Sequence, residues 1–575
     1  MMQLRAVLAP CAIALALVGA GSAPAQPTDQ PCQSAPQSYQ CQTFLRDSAF
    51  LTAQSEALSN TADAMARVGA RAVAQTDDMA LAARDVEAAK NTRDELEADL
   101  AILTARRVPD EEHSRVSLRL QELDAAFEEA HARFRRAFPA YFEMVAPSPL
   151  AVAEVQNLLA EDEALLFYAR PAGATFVWAL TRETASWTRL PVSGTSLAAQ
   201  IGEFRASLDP TGGSQRRPVD GKSRTGGESP CNTALGRKLY DQLIAPIGSD
   251  ALRRKRLVIV ASGPLASLPF AALPMADPPS AETGVERLRS TKWLGIEHAL
   301  TFLPAVTSLR ALRCASRTIE GECAPRRPLV RKFDFVGIGA PRLAGADAPS
   351  CVRGLQMKEN VVEQAGLECL SPLAGADQEL TSLSALFGAE RSMILRGASA
   401  TEAVVRQLDL ERVSVIAFAT HGLLPQEAQT FVGGAEGGLV LTPPSLQSPS
   451  RGASIEDDGL LSVSEAATLK LNADWVILSA CNTAQAGKMG DDALSGLARA
   501  FFFAGARSLL VSHWSVGDDS AQRLIVETLR LDRMSGDRAE SLRLAMKAML
   551  NDRSSPAFAH PSAWAPFMLV GETRR

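Results

Sequence analysis

The chain is poor in the features that mark a nucleic-acid or membrane protein. Aromatic residues make up 5% of it, too few for the stacking platforms that hold single-stranded bases. Its 59 Lys and Arg are outnumbered by 65 Asp and Glu, for a net charge of −6. No segment is strongly basic, so a phosphate-tracking surface is excluded. Beyond the first two dozen residues no apolar stretch reaches the ~18 needed to cross a bilayer. No Cys or His cluster has zinc-ligand spacing, and nothing calls for a metal or an organic cofactor. What remains is the composition of an ordinary globular protein, 46% hydrophobic and 22% charged over 575 residues, long enough for roughly three to four domains.

The amino terminus reads as an address. Arg5 precedes an apolar run from Ala6 to Val18, and Ala23-Pro24-Ala25 offers a cleavage site before Gln26. A membrane anchor is the competing reading, but the run is too short to span. Residues 1–25 are therefore a signal peptide, and the mature protein is expected in the periplasm or secreted, with no membrane span. Cysteine usage fits export. Of nine Cys, Cys11 falls in the leader. Cys32 with Cys41, Cys314 with Cys323, and Cys351 with Cys369 are close pairs, each able to close a short loop in an oxidising compartment. Spacing alone does not assign their connectivity. Cys231 and Cys481 are left over, and each needs a reason: burial as a small hydrophobe, or chemistry.

From Met65 the chain keeps a 3-4 apolar spacing through Leu103, interrupted by Gln75 and Arg93. A second register runs Val116, Leu120, Leu123, Phe127, Ala130, Phe134. Pro109 stands between them and breaks the helix. The simplest structure for residues 26–145 is a helical arm of two antiparallel helices sharing a heptad seam; the core of a helical bundle is the other reading. No 34-residue self-similarity marks a tetratricopeptide array.

Past Pro147 short β-rich runs appear at Ala164–Tyr168, Thr175–Trp178, Leu257–Val260, Phe333–Gly337, Val413–Phe418, Trp475–Leu478 and Leu509–Val511. Helical patterns lie between them, as at Asp377–Phe387, Thr401–Leu408 and Ala493–Phe503. This alternation predicts an α/β protein with a mainly parallel, helix-flanked sheet. In such sheets sites form beyond the carboxyl ends of strands.

Two strand ends carry the chemistry. The run ending at Phe418 opens into Ala419-Thr420-His421-Gly422, and the run ending at Leu478 into Ser479-Ala480-Cys481-Asn482-Thr483. Neighbouring parallel strands would bring His421 and Cys481 to one edge. An imidazole beside a thiol stabilises the thiolate and can protonate a leaving amine. The backbone N–H groups of Gly422 and Cys481 could hold the tetrahedral oxyanion.

These stretches resemble the CHAT domain, a caspase-like module of clan CD cysteine peptidases related to separase. Phe418-Ala-Thr-His421-Gly422 is similar to its His motif and Val476-Ile-Leu-Ser-Ala-Cys481-Asn-Thr483 to its Cys motif. Asp458-Gly459-Leu460-Leu461 through Glu465 looks like its helix before the catalytic strand. Gly496 through Ser508, Trp514 through Asp519, and Trp564-Ala-Pro-Phe567 look like the segments that follow. Leu257–Pro274 is similar to the preceding half. The resemblance covers roughly residues 145–575. It implies His421 as general acid/base and Cys481 as nucleophile. It also implies a caspase-like catalytic half at 331–575 and a related non-catalytic α/β layer at 146–330 packed upon it. Members often carry tetratricopeptide repeats that sense a partner; here the shorter helical arm stands in that place. In separase-like relatives an acid near Asp518 and Asp519 meets a basic P1 residue, so these two either bind substrate or cap a helix starting near Ser520. Asp491 and Asp492 could likewise cap or line the pocket. Glu456-Asp457-Asp458 reads as a solvated loop, and His513 as a packing residue.

The function expected is an exported cysteine endopeptidase acting on a protein or peptide substrate, with an activating protein partner reached through the arm. The alternatives are a partner-binding scaffold without turnover and a thiol hydrolase of small amides or esters.

Overall fold

The computed structural model describes residues 38–59, 92–93, 96, 110–137, 148–170, 174–209, 231–277, 282–313, 316–317, 323–324, 330–345, 366–373, 375–423, 425–432, 436–446, 457–479, 497, 500–502, 504–514 and 516–574. The chain divides into two units, one of residues 1–60 with 149–575 and one of residues 61–148. Residues 1–25, read above as a signal peptide, together with Cys481 and Asp491-Asp492, lie outside the described residues. Among the described residues no helix is long and apolar enough to cross a membrane.

In chain order the strands are β1 (Glu163–Ala169), β2 (Ala174–Leu180), β3 (Ala185–Ser193), β4 (Arg256–Val260), β5 (Ala299–Leu303), β6 (Ser316–Arg317), β7 (Cys323–Ala324), β8 (Phe333–Pro341), β9 (Ser392–Gly397), β10 (Val413–Ala419), β11 (Gly422–Leu423), β12 (Gly438–Val440), β13 (Leu460–Ser462), β14 (Trp475–Ser479), β15 (Ser508–Ser512) and β16 (Phe567–Gly571). Eleven of them form one sheet in the order β3-β2-β1-β4-β5-β16-β15-β14-β10-β8-β9. The pairs β1/β4, β4/β5, β8/β9, β8/β10, β10/β14 and β14/β15 are parallel. Antiparallel pairing joins β1/β2, β2/β3 and β15/β16. The apolar runs that announced strands in the sequence are buried throughout β4, β10 and β14 apart from Ser414 and Ser479, as strands covered on both faces require.

The segment before residue 330 is not a separate layer packed on a catalytic half. It continues the same sheet edge to edge, because β16 inserts between β5 and β15 and Val570 lies opposite Phe302. The tail after β16 then returns to the starts of β1 and β4. Thr573 Oγ1 donates to Glu163 at 2.8 Å, and Arg574 pairs with Asp162 at 2.7 Å. At the opposite, carboxyl ends, the Arg205 guanidinium donates to the Ser267 carbonyl beyond β4 and to the His513 carbonyl beyond β15, both at 3.1 Å.

Helix α1 (Tyr39–Ser59) falls within the segment read as arm, yet it belongs to the body. Phe50 is fully buried against Phe167 and Trp178, with ring centroids 5.6 and 6.1 Å apart. The Gln54 side chain exchanges hydrogen bonds with the Leu150 backbone at 2.9 and 3.0 Å. Cys41 in this helix is buried and disulfide-bonded. In the second unit, α2 (Asp110–Ala137) starts directly after Pro109. Val116, Leu120, Leu123 and Phe127 are half-buried and Ala130 is buried, while Arg115, Leu118, Arg119, Gln121, Glu122, Asp124, Glu128 and Glu129 are exposed. Arg93 lies 5.0 Å over the Phe127 ring and 4.0 Å from Asp124, so the polar interruption of the first register meets the second register.

Candidate active site

The site begins at the register between β10 and β14. Ala419 pairs with Ser479, and on the other side of β10 Ala419 pairs with Gly339 of β8. A Cβ at Gly339 would lie 2.1 Å from the Ala419 carbonyl oxygen, so only glycine lets β8 approach this strand end. His421 stands two residues beyond the end of β10. Cys481 stands two residues beyond the end of β14 in the sequence, outside the described residues.

A small second sheet, ordered β11-β12-β13, holds the backbone at His421. Val440 N donates to the His421 carbonyl at 2.9 Å, and Thr420 Oγ1 donates to the Val440 carbonyl. Gly422 faces Leu439 in this antiparallel pair. With the ladder bond falling on residue 421, Gly422 occupies the non-hydrogen-bonded position, and its N–H points away from β12 toward the sheet edge. Leu343, Leu367, Leu423, Ala428, Val440 and Leu460 form an apolar cluster beneath this sheet.

The half-buried His421 ring has its Nε2 2.7 Å from the Ser371 carbonyl oxygen. A carbonyl only accepts, so Nε2 carries the proton and Nδ1 of the neutral ring is the basic nitrogen. No side-chain pattern could have announced Ser371, because its contribution is a backbone carbonyl. Nearby, Ser479 Oγ donates at 2.8 Å to Glu379 on α3 (Ala376–Phe387).

Other expectations meet the structure differently. The stretch from Asp458 to Glu465 is not helical from its start: it forms β13 and then α4 (Val463–Thr468), whose Ser462 and Glu465 make a reciprocal capping box. Asp457 is not a solvated loop residue. It is 6% exposed, beside the fully buried Glu402, which accepts at 2.7 Å from Gly459 N. Burial, followed by the Glu465 charge, pushes the Glu402 carboxyl up to about 8. Arg406 compensates, 2.8 Å from Glu402 and 2.7 Å from Glu465. Helix α5 (Asp518–Ser535) begins two residues before Ser520, with Gly517 in the capping position. Asp518 and the exposed Asp519 are thus first-turn residues of the helix, and neither is the cap. His513 is fully buried, without a hydrogen bond to either ring nitrogen, and stacks on Trp514 at 6.0 Å. Cys231 is a free thiol that burial raises to about 12, which suits packing rather than attack. No group of His, Cys, Asp and Glu among the described residues could hold a metal ion.

Comparison with known proteins matches residues 233–572 to the CHAT domain family model. Tetratricopeptide repeat protein 28 of Mus musculus is 38% identical over 113 residues, 20% of this chain and 4% of that protein. Its Homo sapiens counterpart is 35% identical over 128 residues, 21% and 5%. The chain thus spans about one twentieth of the curated relatives it matches. Among solved structures, the Saccharomyces cerevisiae separase–securin complex at 3.0 Å aligns with a TM-score of 0.38 and 9% identity, over 78% of this chain and 32% of that one. The Arg-specific cysteine proteinase gingipain R aligns at 0.31 and 9%, over 60% and 68%.

Proposed function

Since the chain belongs to the CHAT domain family, we propose that it is a caspase-like, clan CD cysteine endopeptidase in which His421 and Cys481 form the catalytic dyad. One observation carries the reading: Ala419 and Ser479 are partners in adjacent parallel strands, and the two reactive residues follow those partners at equal offset. The imidazole supports its role: with Nε2 donating to the Ser371 carbonyl, Nδ1 is the basic nitrogen of the neutral ring.

In this mechanism the Cys481 thiolate attacks the scissile carbonyl carbon. The negative charge moves to the carbonyl oxygen, where the N–H groups of Gly422 and Cys481 stabilise it, each such donor worth ~10²–10³ in rate. The imidazolium of His421 gives its proton to the leaving amine. Water, deprotonated by the same ring, then hydrolyses the thioester. Asp518 and Asp519, in the first turn after β15, are the candidates for meeting a basic P1 side chain. The protein substrate, an activating partner recruited through residues 61–148, and export to the periplasm or beyond belong to the same reading.

A thiol-directed probe and a fluorogenic peptide library test it together. Labelling and peptide cleavage in the wild type, with neither in Cys481→Ala and cleavage reduced at least 10²-fold in His421→Ala, is the expected result. Labelling without turnover of any peptide would favour a hydrolase of small amides or esters. The absence of labelling in the wild type would leave a scaffold.

A further inference from the structure

We propose that His513 is an acid-sensitive latch at the carboxyl edge of the sheet. The folded chain holds its ring only as neutral imidazole, so proton uptake releases the residue from its cavity. The backbone hydrogen bonds of His513 to Pro566 and Arg205 are released with it, while the strands behind it stay paired. The inference stands apart from the peptidase reading, because nothing in it involves His421 or Cys481.

His513 is the first residue after β15, and its backbone ties three segments together. Its N–H donates at 2.9 Å to the carbonyl of Pro566, the residue before β16. Its carbonyl accepts at 3.1 Å from Arg205 on the helix Gly194–Leu208. The same guanidinium holds the Ser267 carbonyl beyond β4 at 3.1 Å. The ring has no such ties. It is fully buried, and neither ring nitrogen has a hydrogen-bond partner among the described residues. One face stacks on Trp514, with centroids 6.0 Å apart and planes 23° from parallel. The ring also lines a cavity with room for about one water molecule, walled by Phe270, Phe302, Leu542, Met546 and Met568 among others.

The charges near this cavity all disfavour an imidazolium or are engaged elsewhere. Arg205 brings a positive charge to the His513 carbonyl, and Asp209 acts on Arg205. Arg543 of the helix Arg538–Asn551 lines the cavity, paired with Glu540 at 2.7 Å and donating to the Ile296 carbonyl at 2.6 Å. The turn Phe270–Ala272, β5 and β16 present only apolar side chains to it, and no carboxylate among the described residues lines it. An imidazolium carries two N–H donors, and a charge buried without acceptors is costly. Burial, followed by the Arg205 charge, accordingly holds the ring well below the ordinary histidine value. Once released, the ring regains its ordinary value of about 6.5. Opening therefore takes up a proton. The closed form is favoured above about pH 6.5, and below it the open-to-closed ratio rises up to ~10-fold per pH unit. Opening stays local because Ser512, opposite Phe567, is the last paired residue of β15. Asp518 and Asp519 follow the released residue by a few positions, so acid loosens the turn that carries them.

Hydrogen exchange on the full chain tests this from about pH 7.5 to about pH 5, with rates corrected for intrinsic exchange. Peptides isolating residues 512–517 report the latch, and peptides of β10 report the sheet. NMR of labelled histidine rings, with His513 assigned through His513→Phe, reports its charge. Protection of residues 512–517 should fall up to ~10-fold per pH unit below about 6.5 while β10 keeps its protection. The imidazolium signal of His513 should grow in step with that loss. His513→Phe, whose ring suits the apolar cavity, should stay protected at neutral pH and lose the pH dependence. Constant protection across the window, or a ring that charges while protection is unchanged, overturns the inference. So does an equal loss of protection in His513→Phe. The wild-type titration decides the matter even where the variant does not fold.

Discussion

Gly339 is the residue on which the strand end carrying His421 depends most directly. With Ala419 O 2.1 Å from the place of a side chain, Gly339→Ala must part β8 from β10 at their last paired residues. Gly337→Ala is the control: the nearest atoms to its new methyl are side-chain atoms of Leu380 and Phe335, at 3.0 Å, rather than the backbone of the neighbouring strand. Gly339→Ala should lower stability by about 1–3 kcal/mol in denaturant titrations and reduce thiol-probe labelling, and Gly337→Ala should do much less. Glu402 makes a pH-dependent contribution. Its folded value near 8 stands above the 4.5 of a free glutamate because burial, and then the Glu465 charge, disfavour ionisation. The folded state therefore holds a proton that the unfolded chain releases, and stability falls as pH rises from about 4.5 to 8. Tm measured across this window should decline more steeply in the wild type than in Glu402→Gln. Equal slopes would mean that Glu402 is ionised in the folded protein.

At the scale of elements, α1 decides where the body ends. A helix whose Phe50 has no exposed surface and packs on β1 and β2 is part of the core, whatever its distance in sequence. Phe50→Ala should cost about 3–5 kcal/mol. Deleting residues 61–148 should leave a cooperative unfolding transition in the remainder, whereas deleting 45–140 should abolish it by calorimetry, because that cut removes Phe50 and Gln54. The periodic spacing that announced helices in residues 26–145 is a local property, and it appears again in α2 as the covered row from Val116 to Ala130. It carries no information about which helix packs on the sheet. The small sheet escaped sequence reading for a different reason: strands of two or three residues, such as β11 and β13, are too short to show an alternation.

At the scale of the molecule, the long sheet is closed by charges at its base. Glu163, 1% exposed at the start of β1, is held by Arg313 at 2.7 and 2.9 Å, and Arg313 also reaches Glu572 beyond β16. Burial opposes ionisation of Glu163, but the Arg313 hydrogen bonds and charge outweigh it and hold the carboxyl below its ordinary value. Arg313→Met leaves that carboxylate buried without its cation and should cost about 3–5 kcal/mol. Adding Glu163→Gln should recover much of the loss in the same chemical denaturation assay, and failure of that rescue would mean that the pair acts through packing alone.

Much of the sheet was legible in residues. Val413–Phe418 and Trp475–Leu478 are largely apolar runs, and such runs form strands wherever both faces are covered; that His421 and Cys481 each follow such a run by a few residues was therefore readable. Strand order was not readable. That β16 would pass between β5 and β15, that Ser371 would lend its carbonyl to His421, and that Asp457 would lie buried beside Glu402 are consequences of pairing between distant segments. Local periodicity records which face of a segment is covered. Only the folded chain decides what covers it.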